Sequence, residues 1–135
     1  MAELTFFFDR CFGKRFPQAL RLVDPPFRVE YFHDPKATVK FKQEAPDDEW
    51  IPVIANKGWF ILSHDNQWHK NESENLAIKQ HAAGCFYLYG PKSLKWFKLR
   101  AFMKASAKII DLAKTTPRPF IFRAAENGRV TQVKI

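Results

Sequence analysis

The chain has 135 residues, 46% apolar and 27% charged, with a net charge of +8 and a pI near 9.7. That length and balance exclude a disordered chain and a disulfide-stapled mini-protein, and predict one domain over residues 1–135 with its own core. No apolar run is long enough to span a bilayer, no secretory leader is evident, and Cys11 and Cys85 make no disulfide framework, so a reduced, cytoplasmic protein without membrane association is expected.

The elements follow in chain order. Residues 4–8 are a compact apolar run and predict a buried strand. Residues 13–23 place Phe16, Ala19, Leu20 and Val23 at helical spacing, and Asp24-Pro25-Pro26 stops that helix. Residues 27–33 alternate and predict a second strand. Residues 33–46 read as a polar loop with a short extended piece at 39–41. A helix opens at Asp47-Asp48-Glu49 and runs to about Lys57, with Gly58 as its stop; Pro52 fits only within about one turn of its start. Residues 59–63 predict a third strand, 72–83 a helix ended by Gly84, and 85–89 a fourth strand closed by Gly90-Pro91. Residues 94–114 form the longest helix, stopped by Pro117 and Pro119. Residues 120–123 and 130–135, joined through Glu126-Asn127-Gly128, predict a terminal hairpin.

Strands alternating with helices indicate an α/β fold: a central, mostly parallel sheet with helices on both faces and a C-terminal β-hairpin. Sites in such sheets lie outside the carboxyl ends of the strands. Asp9 directly follows the first strand and Asp65 closely follows the third. If those strands are parallel neighbours, both acids share one rim. Asp47-Asp48-Glu49 reaches the same rim, because its helix runs antiparallel to the strands. Carboxylates converging there repel one another unless a divalent cation neutralises them, and Mg²⁺ and Mn²⁺ suit an all-oxygen ligand set. The plainer alternative makes Asp9 a cap and the three helix acids simple partners of the helix dipole.

These residues resemble a known family. Phe6-Phe7-Phe8-Asp9-Arg10 before a helix, then Asp48-Glu49-Trp50-Ile51-Pro52, then Gly58-Trp59-Phe60-Ile61-Leu62-Ser63-His64-Asp65, is similar to a PIN-like nuclease of the VapC-type toxin class. The resemblance covers residues 4–89 best. It implies a PIN-like domain acting as a metal-dependent endoribonuclease, the toxin of a type II toxin–antitoxin pair, which hydrolyses RNA phosphodiesters by metal-activated water. Asp9 matches the first-strand acid, Asp48 the helix acid with Glu49 as substitute, and Asp65 the strand-closing acid; together they are the implied catalytic and Mg²⁺- or Mn²⁺-binding set. Gln67 stands where many relatives carry a further acid, so a fourth ligand is missing or comes from elsewhere. An antitoxin protein and a homodimer are the implied protein partners.

Other constellations fit less well. Asp9-Arg10-Cys11 lacks the Asp-x-Asp of a haloacid-dehalogenase-like phosphatase, and no nucleotide-binding glycine motif occurs. His64 and His69 have no Cys-x-x-Cys beside them to make zinc spacing.

Charge adds a second line of inference. Residues 1–68 hold nine Lys/Arg and ten Asp/Glu, a balance of −1, whereas residues 69–135 hold thirteen and four, a balance of +9. Such asymmetry points to a polyanionic partner, nucleic acid first and an acidic protein second, against the alternative of an ordinary solvated surface. On the long helix Arg100, Lys104 and Lys108 recur on one face, with Lys92, Lys95, Lys98, Lys114 and Arg118 around them. Arg100, Lys104 and Lys108, with Lys14 and Arg15, form the expected RNA-binding set, which would draw RNA toward carboxylates that otherwise repel it. Trp68 and Trp96 are open to base stacking or to core packing. A non-catalytic RNA- or protein-binding module on the same fold is the alternative function.

Overall fold

Apolar, β-branched and aromatic runs form the strands of the computed structural model, which describes residues 3–88 and 94–135. The strands are β1 (Thr5–Phe8), β2 (Arg28–Tyr31), β3 (Phe60–Ser63), β4 (Gly84–Leu88), β5 (Phe120–Ala124) and β6 (Val130–Val133). The helices are α1 (Arg15–Leu22), α2 (Asp47–Asn56), α3 (Glu72–Gln80) and α4 (Lys95–Thr115). Tyr89, the expected Gly90-Pro91 break and Lys92 lie outside the described residues. Among the described residues no helix is long and apolar enough to cross a membrane.

One sheet joins all six strands in the order β2-β1-β3-β4-β5-β6. Pairing is parallel from β2 through β5, and β6 returns antiparallel on β5 as the expected hairpin. The fold is therefore α/β, with a mostly parallel central sheet and helices on both faces. Successive strand residues point to opposite faces, and β1 shows the division. Phe6 and Phe8 join one apolar cluster with Phe16 and Leu20 of α1 and Phe102, Ala105, Ile109 and Ala113 of α4. Phe7 joins the other with Trp50, Ile51 and Ile54 of α2 and Ile78 of α3.

The placement of α4 has a topological consequence. Both β3-α3-β4 and β4-α4-β5 step the same way along the sheet, yet α3 and α4 lie on opposite faces. The last parallel crossover thus has the opposite hand to the three before it. The physical reason is the aromatic surface of Phe8, Phe86, Phe120 and Phe122 on the α1 face. α1 packs over β1 and β2, so only the long helix remains to bury the rest.

Several local expectations change. No strand occurs at 39–41. A 3-10 turn, Arg10–Phe12, precedes α1. Pro52 is the sixth residue of α2, in the second turn, where it withholds the N–H that the Asp48 carbonyl would accept. Gly84 does not end α3: the helix stops at Gln80, and Ala82 takes the left-handed conformation at φ 52°. Gly84 opens β4 instead. A Cβ there would fall 2.7 Å from Phe60 and 2.8 Å from Phe120, so only hydrogen fits between the two rings.

Candidate functional site

The site forms where the chain's connections diverge. From β1 the chain moves outward to β2, then crosses back over β1 to β3. The crevice outside the carboxyl ends of β1 and β3 is therefore the switch point of the sheet, the usual place for a ligand. β1 and β3 are parallel neighbours, with Phe8 opposite Leu62. Asp9 and the Ser63-His64-Asp65 segment consequently emerge side by side.

Asp9 is 3% exposed. It caps the 3-10 turn, accepting the Cys11 N–H at 3.0 Å, and it accepts the Ser63 hydroxyl proton. The same hydroxyl oxygen accepts the Asp65 N–H at 2.9 Å. Ser63 thus couples the ends of two strands. Burial pushes the Asp9 carboxyl up to about 6, against the hydrogen bonds that favour its anion. Asp65 accepts the Gln67 N–H at 2.7 Å, and burial raises its pKa also.

The acid of α2 that enters the site is Asp47. Its Oδ1 accepts Arg10 at 2.7 Å and the Trp50 indole N–H at 2.9 Å; its Oδ2 accepts the Trp68 indole N–H at 2.8 Å. Burial alone would raise its pKa, but these donors outweigh burial and hold the carboxyl below its usual range. Arg10 is fixed in turn by the carbonyls of Gln43 and Ala45 and lies over the Phe32 ring.

Glu74, in the first turn of α3, completes the group. One carboxylate oxygen each from Asp47, Asp65 and Glu74 lie within 4.8 Å of one another. Burial, followed by the neighbouring Asp47, pushes Glu74 up to about 7. These donors fit a hard divalent cation: all are oxygens, and two have carboxyl groups that resist ionising without positive charge nearby.

Of the acids expected from the sequence, Asp65 stands in this trio. Asp9 lies beneath it, tied to it through Ser63. Asp48 is half-buried and outside the trio, though its charge also acts on Glu74. Consecutive helix residues point about 100° apart, so Asp47 and Asp48 cannot both face one point. Glu49 is exposed. Glu74 had a readable signal: Asn71 is followed three residues later by Glu74, as in a capping box, and the Asn71 side chain accepts the Glu74 N–H at 3.2 Å. The argument that brings the start of α2 to the rim also brings the start of α3.

The expected basic residues lie elsewhere. Lys14 and Arg15 are exposed at the start of α1. Arg100, Lys104 and Lys108 are exposed on α4, across the sheet from α2 and α3. Arg100 and Lys104 line a cavity of about 490 Å³ with Phe97 and the Glu126-Asn127 turn of the hairpin. Trp68 is fully buried and bonded to Asp47, whereas Trp96 is 70% exposed. His64 is buried on Phe12 with its Nδ1 3.1 Å from the Leu88 carbonyl, and burial lowers its pKa to about 4, so it is a neutral core residue.

Comparison with family models matches a PIN like domain over residues 4–90. No match was found among curated proteins or among solved structures. The matched span runs from β1 to β4 and holds Asp9, Asp47, Asp65 and Glu74; α4 and the hairpin follow it. With its larger part under that model and its carboxylates gathered at the switch point, the chain belongs to the PIN like domain family.

Proposed function

We propose that the chain is a metal-dependent endoribonuclease that hydrolyses RNA phosphodiesters at the Asp47–Asp65–Glu74 rim, and that it is the toxin of a type II toxin–antitoxin pair in the cytoplasm. Members of the family are generally metal-dependent nucleases. The observation that carries the reading is the meeting of three carboxylates from separate elements within 4.8 Å at the switch point.

Asp47, Asp65 and Glu74 would hold Mg²⁺ or Mn²⁺. A cation there supplies a Lewis acid that makes hydroxide accessible near neutral pH and offsets the charge of the phosphate. The chain's own residues prepare the site. Ser63 sets the Asp65 backbone against β1 through Asp9. Arg10 and the two indoles keep Asp47 ionised and fixed. Trp50 and Trp68 beneath it exclude water from one side of the carboxylate. RNA would be gathered by Lys14, Arg15, Arg100, Lys104 and Lys108, and an antitoxin's acidic segment would find the same row on α4. A homodimer is the proposed assembly.

One observation favours a second reading, a non-catalytic binding module. Arg10 already neutralises part of the cluster, and a proton on Glu74 neutralises more, so the rim is satisfied without a metal.

Cleavage of an end-labelled single-stranded RNA separates the two. The wild type should cleave in Mn²⁺ and stop in EDTA. Asp65→Asn and Glu74→Gln should each lose at least roughly a hundredfold in rate while keeping the fold. Wild-type rates in both variants, or cleavage indifferent to EDTA, would sink the nuclease reading.

A further inference from the structure

The acids at the rim have a cationic neighbour on their own face of the sheet, and it is not on α4. Arg123 is the fourth residue of β5, paired with Tyr87 of β4. Its side chain is exposed yet held at two points. The guanidinium lies over the Tyr87 ring, 5.5 Å from the centroid, and its Nε donates to the Asn66 side-chain oxygen at 3.4 Å. Asn66 follows Asp65 directly. No acceptor among the described residues takes the terminal guanidinium N–H groups, and no carboxylate there pairs with Arg123 within 4.0 Å. An exposed Arg restrained this way has already lost much of the side-chain freedom that ligand binding would otherwise remove.

His69 stands beside it. The Tyr87 hydroxyl oxygen accepts the His69 backbone N–H at 3.2 Å, which leaves the hydroxyl proton to be donated to His69 Nδ1, 3.0 Å away. An Nδ1 that accepts fixes the tautomer with the proton on Nε2, a donor on a part-exposed ring. The fields of Asp65 and Arg123 both reach His69 and Tyr87, so these groups form one neighbourhood. In strand order along this rim stand Asp65 after β3, Tyr87 on β4 and Arg123 on β5.

We infer that Arg123 and His69 form a phosphate-binding subsite for the backbone of single-stranded RNA, adjoining the carboxylate trio on the β4–β5 side. The inference rests on the proposed nuclease reading for its ligand, but not for its geometry. A planar fork of free N–H donors matches a phosphodiester bidentately, and an imidazole N–H supplies one donor more. A cation beside an anionic cluster lets a polyanion approach the cluster from that side. It places the nearest phosphate contact on β5, whereas the α4 row serves the opposite face.

The test is binding of a fluorescent single-stranded RNA oligonucleotide in EDTA, where no cleavage consumes it, across a series of salt concentrations. Arg123→Gln should weaken binding by about tenfold near 0.1 M salt and lower the log–log salt slope by about 0.7, the loss of one phosphate contact on a single strand. Arg123→Lys should restore the slope but not the full affinity, because a point charge replaces the fork. His69→Gln should cost less, and leave the slope in place. The melting temperature of Arg123→Gln should stay near the wild-type value, since the side chain is exposed. An unchanged slope in Arg123→Gln, or a wild type that does not bind the oligonucleotide, overturns the inference. Cleavage by the wild type in Mn²⁺ with an unchanged slope would sink the subsite and spare the nuclease. A changed slope without cleavage in any divalent metal would do the reverse.

Discussion

Asp9 is a carboxyl group sealed under the rim, and the seal has a sign that can be measured. Its pKa stands at about 6 against a reference of 3.8, with burial as the main cause. A raised folded pKa means the protonated form suits the fold. The stabilisation is complete below about pH 3.8 and is lost as the pH rises through about 6. At neutral pH the ionised group then costs roughly 3 kcal/mol. Asp9→Asn keeps the shape and removes that cost, so in EDTA at pH 7.5 it should gain on the order of 1–3 kcal/mol, with the advantage gone near pH 4. Thermal melts at the two pH values decide the matter; a lower melting temperature at both would show that the Ser63 bond outweighs the buried charge. Glu74 titrates nearer to neutrality, at about 7, because burial and Asp47 both oppose its ionisation. Its folded pKa is also raised, so the metal-free protein loses stability as the pH rises through 7, and a cation bound there would restore it. Mn²⁺ affinity, read by calorimetry, should climb by up to tenfold per pH unit below about 7 and flatten above. Glu74→Gln should flatten the climb as well as weaken binding.

At the scale of elements, the sequence was most legible where a single helix or strand decides its own pattern. The apolar runs at 4–8 and 59–63 became β1 and β3 within a residue. The Glu126-Asn127-Gly128 turn became the hairpin because glycine at φ 88° fits where its hydrogen meets Lys104 of α4. Gly84 was misread because glycine's two uses, a left-handed stop and a place without a side chain, look alike in one dimension. Asp48 was preferred to Asp47 for a similar reason: spacing along the chain does not reveal which helix face turns inward. α4 carries the expected basic row on its outer side, burying Phe102, Ala105 and Ile109 and exposing Arg100, Lys104 and Lys108. Changing those three to Ala should cost little stability, about 0.5 kcal/mol or less per exposed residue. If all three engage single-stranded RNA, the salt slope of binding should fall by roughly two units. The measurement uses an Asp65→Asn background so that the RNA survives. An unchanged slope assigns the row to solvent or to a protein partner.

At the scale of the whole molecule, the sequence predicts the class of fold and the rim but not the arrangement. Alternation of elements predicts a parallel sheet with covered faces. It does not predict that β3 returns to lie beside β1, which is what brings Ser63 to Asp9 across fifty-four positions of chain. Nor does it predict the face that α4 takes, because that depends on which aromatic surface the earlier helices leave uncovered. The charge division at residue 68 was real in the sequence, yet the fold redistributes it. α4 carries its basic row to one face, while Arg123 and Lys70 remain on the side of the acids. A boundary drawn in sequence therefore becomes a boundary between sheet faces only in part. That is why the cation beside the carboxylates that has no carboxylate partner within 4.0 Å among the described residues came from a strand and not from the most basic helix.

The pair of indoles on Asp47 makes the site optically addressable. Trp50 and Trp68 are fully buried, their rings 5.9 Å apart and inclined at 71°, and both donate their N–H to the one carboxylate. Excited indoles respond to nearby charge, and two held this close couple into a shared transition. Any ion that draws on Asp47 must change the field felt by both chromophores at once. Intrinsic emission and near-ultraviolet circular dichroism should therefore shift on adding Mg²⁺, without a label. Trp59 and the exposed Trp96 add a background that Trp59→Phe and Trp96→Phe remove. In that two-tryptophan protein a saturable spectral change that EDTA reverses, and that Glu74→Gln weakens, would report occupancy directly. Spectra indifferent to the cation would mean that Asp47 keeps its arginine and its indoles and takes no metal.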